Sequence, residues 1–240
     1  MGDPAGAARA DVARAAAAAA AVQLVEAGMT IGLGSGRAVW KLVELLGARV
    51  GAGGDLAAVG LRAATASSRT DELARSLGIE VVELDGTVEL DLALDGADEI
   101  DSQLRLIKGG GGALLREKIV ISAARRFVVV AETPKKVERL GEHFRLPVEV
   151  VRFAWRDTRR RLASVLADGV QRAGVDGEPF VTDEGHFILD CVLPDDVDLD
   201  ALGPRLNQVP GVVEHGLFIG MAERALLGRP DGGVESIERG

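Results

Sequence analysis

A chain of 240 residues can fold as one large α/β domain or as a main domain with a smaller one, and its 47% apolar content supplies a sizeable core. The formal net charge of −9 excludes a general nucleic-acid surface, which needs a basic stripe, but not a small anion held by backbone dipoles and one or two cations. A single cysteine, Cys191, excludes an internal disulfide, and neither it nor the scattered His143, His186 and His215 shows metal-ligand spacing.

In chain order, the alanine-rich stretch 8–27 predicts a helix ended by Gly28. Its apolar run 15–22 is too short for a membrane span. Asp3 and Asp11 stand where a signal peptide would be basic, so the expectation is a soluble, cytoplasmic protein. Residues 29–33 predict a buried strand that feeds a glycine loop, and 38–46 a helix burying Val39, Leu42, Val43 and Leu46. A strand over 57–61, a helix over 70–77 ended by Gly78, and strands over 79–84, 90–94 and 127–131 follow. This alternation implies βαβ units and a Rossmann-like, largely parallel sheet, which receives ligands beyond the carboxyl ends of its strands.

Further on, a strand at 147–151, a helix at 158–166, a hairpin from 180–181 and 186–193, a helix at 198–209 and a strand at 211–218 are expected. That β-α-β-β-α-β order fits a smaller inserted ferredoxin-like α+β domain. The expected division is 1–133 plus 219–240 for the main domain and 134–218 for the small one. Arg156 and Arg159 to Arg161 read as a solvated helical face, Trp40 and Trp155 as packing residues, and Cys191 as a small core residue.

Three motifs can carry chemistry. In Gly32-Leu33-Gly34-Ser35-Gly36, between a strand and a helix, glycines let backbone N–H groups approach an anion beside the positive end of the helix. It is no P-loop, because Arg37-Ala38 follows Gly36, and no dinucleotide fingerprint, because Val39 stands where Gly or Ala is needed. A bare tight turn remains its plain alternative. The four carboxylates from Asp95 to Asp101 would ordinarily form a solvated acidic loop. Asp95 differs in ending an apolar strand and is expected to face the crevice, and for Asp95 and Asp98 a structural turn and a functional site fit equally well. The spacing does not match a calcium loop.

The third motif is Lys108-Gly109-Gly110-Gly111-Gly112-Ala113-Leu114-Leu115-Arg116-Glu117. Four glycines carry a large entropy cost, so a plain linker explains them poorly; they let backbone pack on a ligand with Lys108 beside it. Helical spacing from Ala113 puts Glu117 on a small-residue face, with an exposed ion-paired glutamate as the alternative. An aldose–ketose isomerase needs a carboxylate base to move a proton between adjacent carbons and a cation for the enediolate oxygens. Redox cofactors have no part, since the electrons stay within the substrate.

On these residues the chain resembles the type A ribose-5-phosphate isomerase family. The matching blocks are Gly32 to Gly36, Ala66-Ser67-Ser68-Arg69-Thr70, Asp95 to Asp101 and Lys108 to Ile119, continued by Pro147 to Val150, Val181 to Asp183 and Pro210 to Val213. The resemblance implies interconversion of ribose 5-phosphate and ribulose 5-phosphate with no cofactor and no metal. By position it implies Glu117 as the base, Lys108 as the enediolate stabiliser with Asp98 nearby, and Asp95 as a binder of sugar hydroxyls that assists ring opening. It also implies substrate contacts at Gly34, Ser35, Gly36, Arg37, Gly96, Ala97, Gly109, Gly110, Gly111 and the phosphate-contacting Lys135. Partners would be a small sugar phosphate, with neither nucleic acid nor membrane, and a second copy in a homodimer or homotetramer.

The chain departs from the family at Arg37 and Ala38, which replace two hydroxyl-bearing residues, and at Ala15, with Arg14 adjacent, where many members carry a lysine. Arg37 is expected to replace part of the lost hydrogen bonding. A related deaminase or CoA transferase and a non-catalytic sugar-phosphate sensor are the rival functions. The Asp95 and Lys108 blocks disfavour the first, and the lack of a basic helix-turn-helix segment disfavours the second.

Overall fold

Apolar spacing and glycine punctuation place most of the elements. The computed structural model describes residues 4–239; Asp3 lies outside the described residues. In the first part of the chain are α1 (Pro4–Val22), β1 (Thr30–Leu33), α2 (Arg37–Val50), β2 (Arg62–Thr65), α3 (Ser68–Ser76), β3 (Glu80–Val81) and β4 (Leu92–Asp95). The short strands β5 (Glu99–Ile100) and β6 (Leu106–Ile107) precede α4 (Leu114–Ser122) and β7 (Phe127–Glu132). Then come β8 (Leu146–Val150), α5 (Trp155–Leu162), β9 (Ala167–Gln171), β10 (Phe187–Val192) and α6 (Leu199–Asn207). The chain ends with β11 (Val212–His215), β12 (Leu217–Phe218), β13 (Arg224–Gly228) and β14 (Val234–Glu238).

The chain divides into two units, one of residues 1–97, 116–136 and 221–240, the other of 98–115 and 137–220. The first unit holds a seven-stranded sheet of order β14-β13-β7-β4-β1-β2-β3. All its pairings are parallel except β13 with β14, with Gly32 opposite Ala64 on one side and Ala93 on the other. The order runs outward from β1 through β2 to β3 and then resumes on the other side with β4. That reversal is the switch point at which open α/β sheets take their ligands. Leu33 in β1, Leu94 in β4 and Val130 in β7 share a core with Val39, Leu42, Val43 and Leu46 of α2, the four positions expected from helical spacing.

The expected strand at 57–61 is a turn instead, closed by the Gly60 N–H donating to the Leu56 carbonyl at 2.7 Å. The strand is β2, one step later. Its Ala63 enters the α2 core and its Ala64 joins Leu90 and Val120 in a separate cluster. A strand covered on both faces tolerates small side chains that give little β signal of their own. The first helix also stops earlier than expected, at Val22.

The second unit carries a four-stranded antiparallel sheet of order β11-β8-β10-β9 and a three-stranded sheet of order β12-β6-β5. Counting β8, β9, β10 and β11 as strands one to four, the order 4-1-3-2 with helices after the first and third is the ferredoxin-like arrangement. Leu146, Val148, Val150, Leu189 and Cys191 fill its core with Leu202 and Leu206 of α6. Two expectations are corrected here. The strand paired with β10 in the hairpin is β9, and 180–181 forms no strand of its own. The Phe180 N–H donates to the Arg172 carbonyl just past β9 at 2.9 Å, and the turn at 182–186 is closed by the Thr182 N–H on the His186 carbonyl at 2.9 Å. The expected strand at 211–218 splits at Gly216, sending β11 to one sheet and β12 to the other. Helix α5 starts before 158, and its Arg156, Arg159, Arg160 and Arg161 are exposed.

Among the described residues, no helix is long and apolar enough to cross a membrane.

Candidate active site

In the first unit, three loops leave the carboxyl ends of the adjacent parallel strands β1, β4 and β7, and they carry Gly34 to Gly36, Asp95 to Ala97, and the turn Thr133–Lys135. Asp95 is 1% exposed. Its Oδ1 accepts from the Ser35 N–H at 3.1 Å and the Gly96 N–H at 2.7 Å. Those two bonds couple the glycine loop to the end of β4.

The reason residue 34 is glycine is spatial. A Cβ there would lie 1.8 Å from the Asp95 Cγ and 1.9 Å from its Oδ1. The Gly34 carbonyl is also held, accepting from the Thr70 hydroxyl at 2.9 Å, while Thr70 receives the Trp40 indole N–H at 3.2 Å. Arg69 lies over the Trp40 ring, 3.6 Å from its centroid. Ser67 caps α3 by accepting from the Thr70 N–H at 3.2 Å. The block 66–70 is therefore the wall that sets the glycine loop. Arg37 opens α2 and is exposed, and Lys135 is half-buried.

Gly34→Ala is accordingly expected to destabilise the chain by about 1–3 kcal/mol through overpacking. Gly111→Ala, where an added Cβ meets nothing within 4 Å, should change stability by less than about 0.5 kcal/mol. Urea melts of both measure the contrast, and a Gly34→Ala protein as stable as the parent would contradict the packing.

Glu117 sits in the first turn of α4 and is 5% exposed, so it is not the exposed glutamate of the alternative reading. Helix α4 leads into β7, a strand parallel to β4. A helix that feeds a parallel strand runs antiparallel to it, so its first turn lies at the carboxyl end of the sheet. Val120, one turn on, packs on the sheet with Leu90 and Ala64.

In the second unit, Lys108 follows β6 and is 2% exposed. Its N–H donates to the Gly216 carbonyl at 2.9 Å, and its Nζ lies 5.5 Å from the centre of the Phe218 ring. The glycine run after it is pinned on several sides. Gly110 N–H donates to Asp98 Oδ2 at 2.7 Å, and Gly112 N–H turns back to the Gly109 carbonyl at 3.0 Å. At Gly112, with φ +86°, a Cβ would come within 2.3 Å of the Phe180 ring.

The other acidic residues of the stretch are structural. Glu99 accepts from the N–H groups of Gly141, His143 and Phe144 at 2.5–2.8 Å. Asp101 closes its own turn by accepting from the N–H groups of Gln103 and Arg105, each at 2.9 Å. Both are 1% exposed, against the expectation of a solvated loop. A carboxylate facing several N–H donors of a tight loop satisfies them better than water can. Among the described residues, no three His, Cys, Asp or Glu side chains are grouped to hold a metal ion.

Sequence reasoning missed Arg172. It follows β9 and donates from one guanidinium nitrogen to the Gly109 carbonyl at 2.7 Å and the Gly110 carbonyl at 3.2 Å. No local signal marks it, because the glycine carbonyls it holds lie more than sixty residues away.

A parallel sheet with a switch point, a pinned glycine loop and a buried strand-end carboxylate defines an open α/β protein whose ligand crevice lies beyond the carboxyl ends of its strands. The family model described as ribose 5-phosphate isomerase A (phosphoriboisomerase A) matches residues 62–232. The chain is 52% identical over 215 residues to ribose-5-phosphate isomerase A of Roseiflexus castenholzii, covering 90% of this chain and 91% of that one. The solved ribose 5-phosphate isomerase A of Methanocaldococcus jannaschii superposes with a TM-score of 0.86 at 36% identity, over 94% of this chain and 97% of its own. A D-ribose-5-phosphate isomerase solved in complex with phospho-erythronic acid gives 0.87 at 33%, with the same coverage. The chain belongs to the ribose 5-phosphate isomerase A family.

Proposed function

We propose that this protein interconverts D-ribose 5-phosphate and D-ribulose 5-phosphate, in the non-oxidative branch of the pentose phosphate pathway. One observation carries the reading: within a chain of this family, two carboxylates and an ammonium at the motif positions, Asp95, Glu117 and Lys108, are all kept buried. A buried charge costs free energy unless it is paired and hydrogen-bonded, and buried titratable groups at a family's motif positions are the natural candidates for its chemistry.

In this reading Asp95 binds sugar hydroxyls and assists opening of the ring. Glu117 takes the C2 proton of the opened aldose and returns it to C1, while the O2 hydroxyl proton passes to O1. Lys108, with Asp98 nearby, stabilises the enediolate oxygen between the two transfers. Gly34, Ser35, Gly36 and Arg37 at the start of α2, together with Lys135, hold the phosphate, as a helix N-terminus with added cations is suited to do. Gly96, Ala97, Gly109, Gly110 and Gly111 offer backbone to the sugar. The planar carboxylate of an aldonic acid, the class to which phospho-erythronic acid belongs, resembles an enediolate, which agrees with this chemistry. A main domain of 1–133 plus 219–240 with a small domain of 134–218, a cytoplasmic location and a homodimeric or homotetrameric state complete the proposal.

The test is turnover by the purified protein against a panel of pentose and hexose phosphates, with EDTA and without added metal or nucleotide. Ribose 5-phosphate should be converted, and EDTA should leave the rate unchanged. Binding of sugar phosphate without turnover would instead identify a sensor, and turnover lost to EDTA would overturn the metal-free mechanism.

A further inference from the structure

Arg172 belongs to none of the motifs above, yet its side chain donates to two successive carbonyls of the glycine run. Its side chain is 13% exposed and is itself fixed, with Nε on Asp190 Oδ2 at 3.0 Å and one terminal nitrogen on Asp190 Oδ1 at 2.5 Å. The remaining terminal nitrogen reaches the Gly109 and Gly110 carbonyls. The peptide between Gly109 and Gly110 is thereby gripped from both edges. Its carbonyl goes to Arg172 and its N–H, on the opposite edge of a trans peptide, goes to Asp98. The next peptide also turns its carbonyl to the same guanidinium.

Four adjacent glycines have the greatest conformational freedom any segment can have, and Lys108 is attached directly to them. A planar guanidinium held by a carboxylate is a rigid fork, and charge-assisted bonds to two successive carbonyls remove most of that freedom. Catalytic groups need this kind of support, since a displacement of about 1 Å can cost about 100-fold in rate.

We propose that Arg172, oriented by Asp190, is a positioning residue for the isomerisation, presetting the Gly109–Gly110 backbone and thereby the approach of Lys108 to the reacting oxygen. The inference rests on the reading of Lys108 as enediolate stabiliser.

Steady-state kinetics of Arg172→Gln, Arg172→Lys, Asp190→Asn, Lys108→Met and the double variant Arg172→Gln/Lys108→Met test it, with folding followed by circular dichroism. Arg172→Gln should lose about 100-fold in kcat with KM for ribose 5-phosphate within about 3-fold. Arg172→Lys should recover only part of the loss, because an ammonium cannot span Asp190 and both carbonyls at once. The double variant should be little slower than Lys108→Met alone, since the arginine acts through the lysine.

A kcat within 2-fold of the parent in Arg172→Gln, or a loss confined to KM or to the folded fraction, overturns the proposal. So does a double variant whose losses multiply. Should Arg172→Gln fail to fold, Asp190→Asn, which keeps the arginine, must show the same fall in kcat at constant KM, and a normal kcat there is equally fatal. Normal kcat in Lys108→Met would instead bring down the reading of the lysine itself, and the inference with it.

Discussion

Replacing Glu117 by glutamine should lower kcat by about 10²–10⁴-fold, equivalent to roughly 2.7–5.4 kcal/mol of transition-state stabilisation, while leaving KM close to that of the parent. Glutamine keeps the volume and hydrogen-bonding reach of glutamate, so a 5% exposed position in the first turn of α4 accepts it without repacking. It cannot accept a proton. The second readout is isotopic. In deuterated water the parent should place deuterium at C1 of ribulose 5-phosphate and at C2 of ribose 5-phosphate, followed by proton NMR, and Glu117→Gln should do neither over the same period. A variant with near-normal kcat, or one still exchanging at the parent's rate, would remove Glu117 from the role of base and move the search to Asp95.

Lys108→Met should lower kcat by about 10²–10³-fold, the usual loss when one preorganised group facing a developing oxyanion is removed. Methionine preserves an unbranched stem beside Phe218, and the anchoring bond from residue 108 to the Gly216 carbonyl is made by the backbone N–H, which any residue but proline supplies. The backbone path of the glycine run should therefore persist, and the loss should track the missing ammonium. Steady-state kinetics with ribose 5-phosphate measure it. A fall in kcat/KM caused by KM alone would assign Lys108 to ground-state binding rather than to the enediolate.

The parts of the site that were legible share one property: their signals are local. The strand–glycine loop–helix unit at 30–50 is written in four buried strand residues and in the spacing of Val39, Leu42, Val43 and Leu46. Asp95 was legible because it terminates an apolar run, and the structure buries it at a strand end. Glu99 and Asp101 were not separable from it by composition. Their work is to satisfy N–H donors in turns, and for Glu99 those donors lie more than forty residues away.

Sequence alone determined the alternating βαβ plan, the β-α-β-β-α-β order of the second unit, and the residue types available for proton transfer, because periodicity and glycine punctuation act over a few residues. Tertiary structure decided the rest. It placed the second strand on Arg62–Thr65, where alanines are accepted only because both faces are covered. It made Ala167–Gln171, polar and glycine-containing, an edge strand beside β10, so that Arg172 emerges at its end. It grouped residues 98–115 with 137–220 through strands of two residues, too short to show any period. And it alone brought Arg172 to the glycine run, since a guanidinium that holds a loop sixty residues away leaves no trace in local pattern.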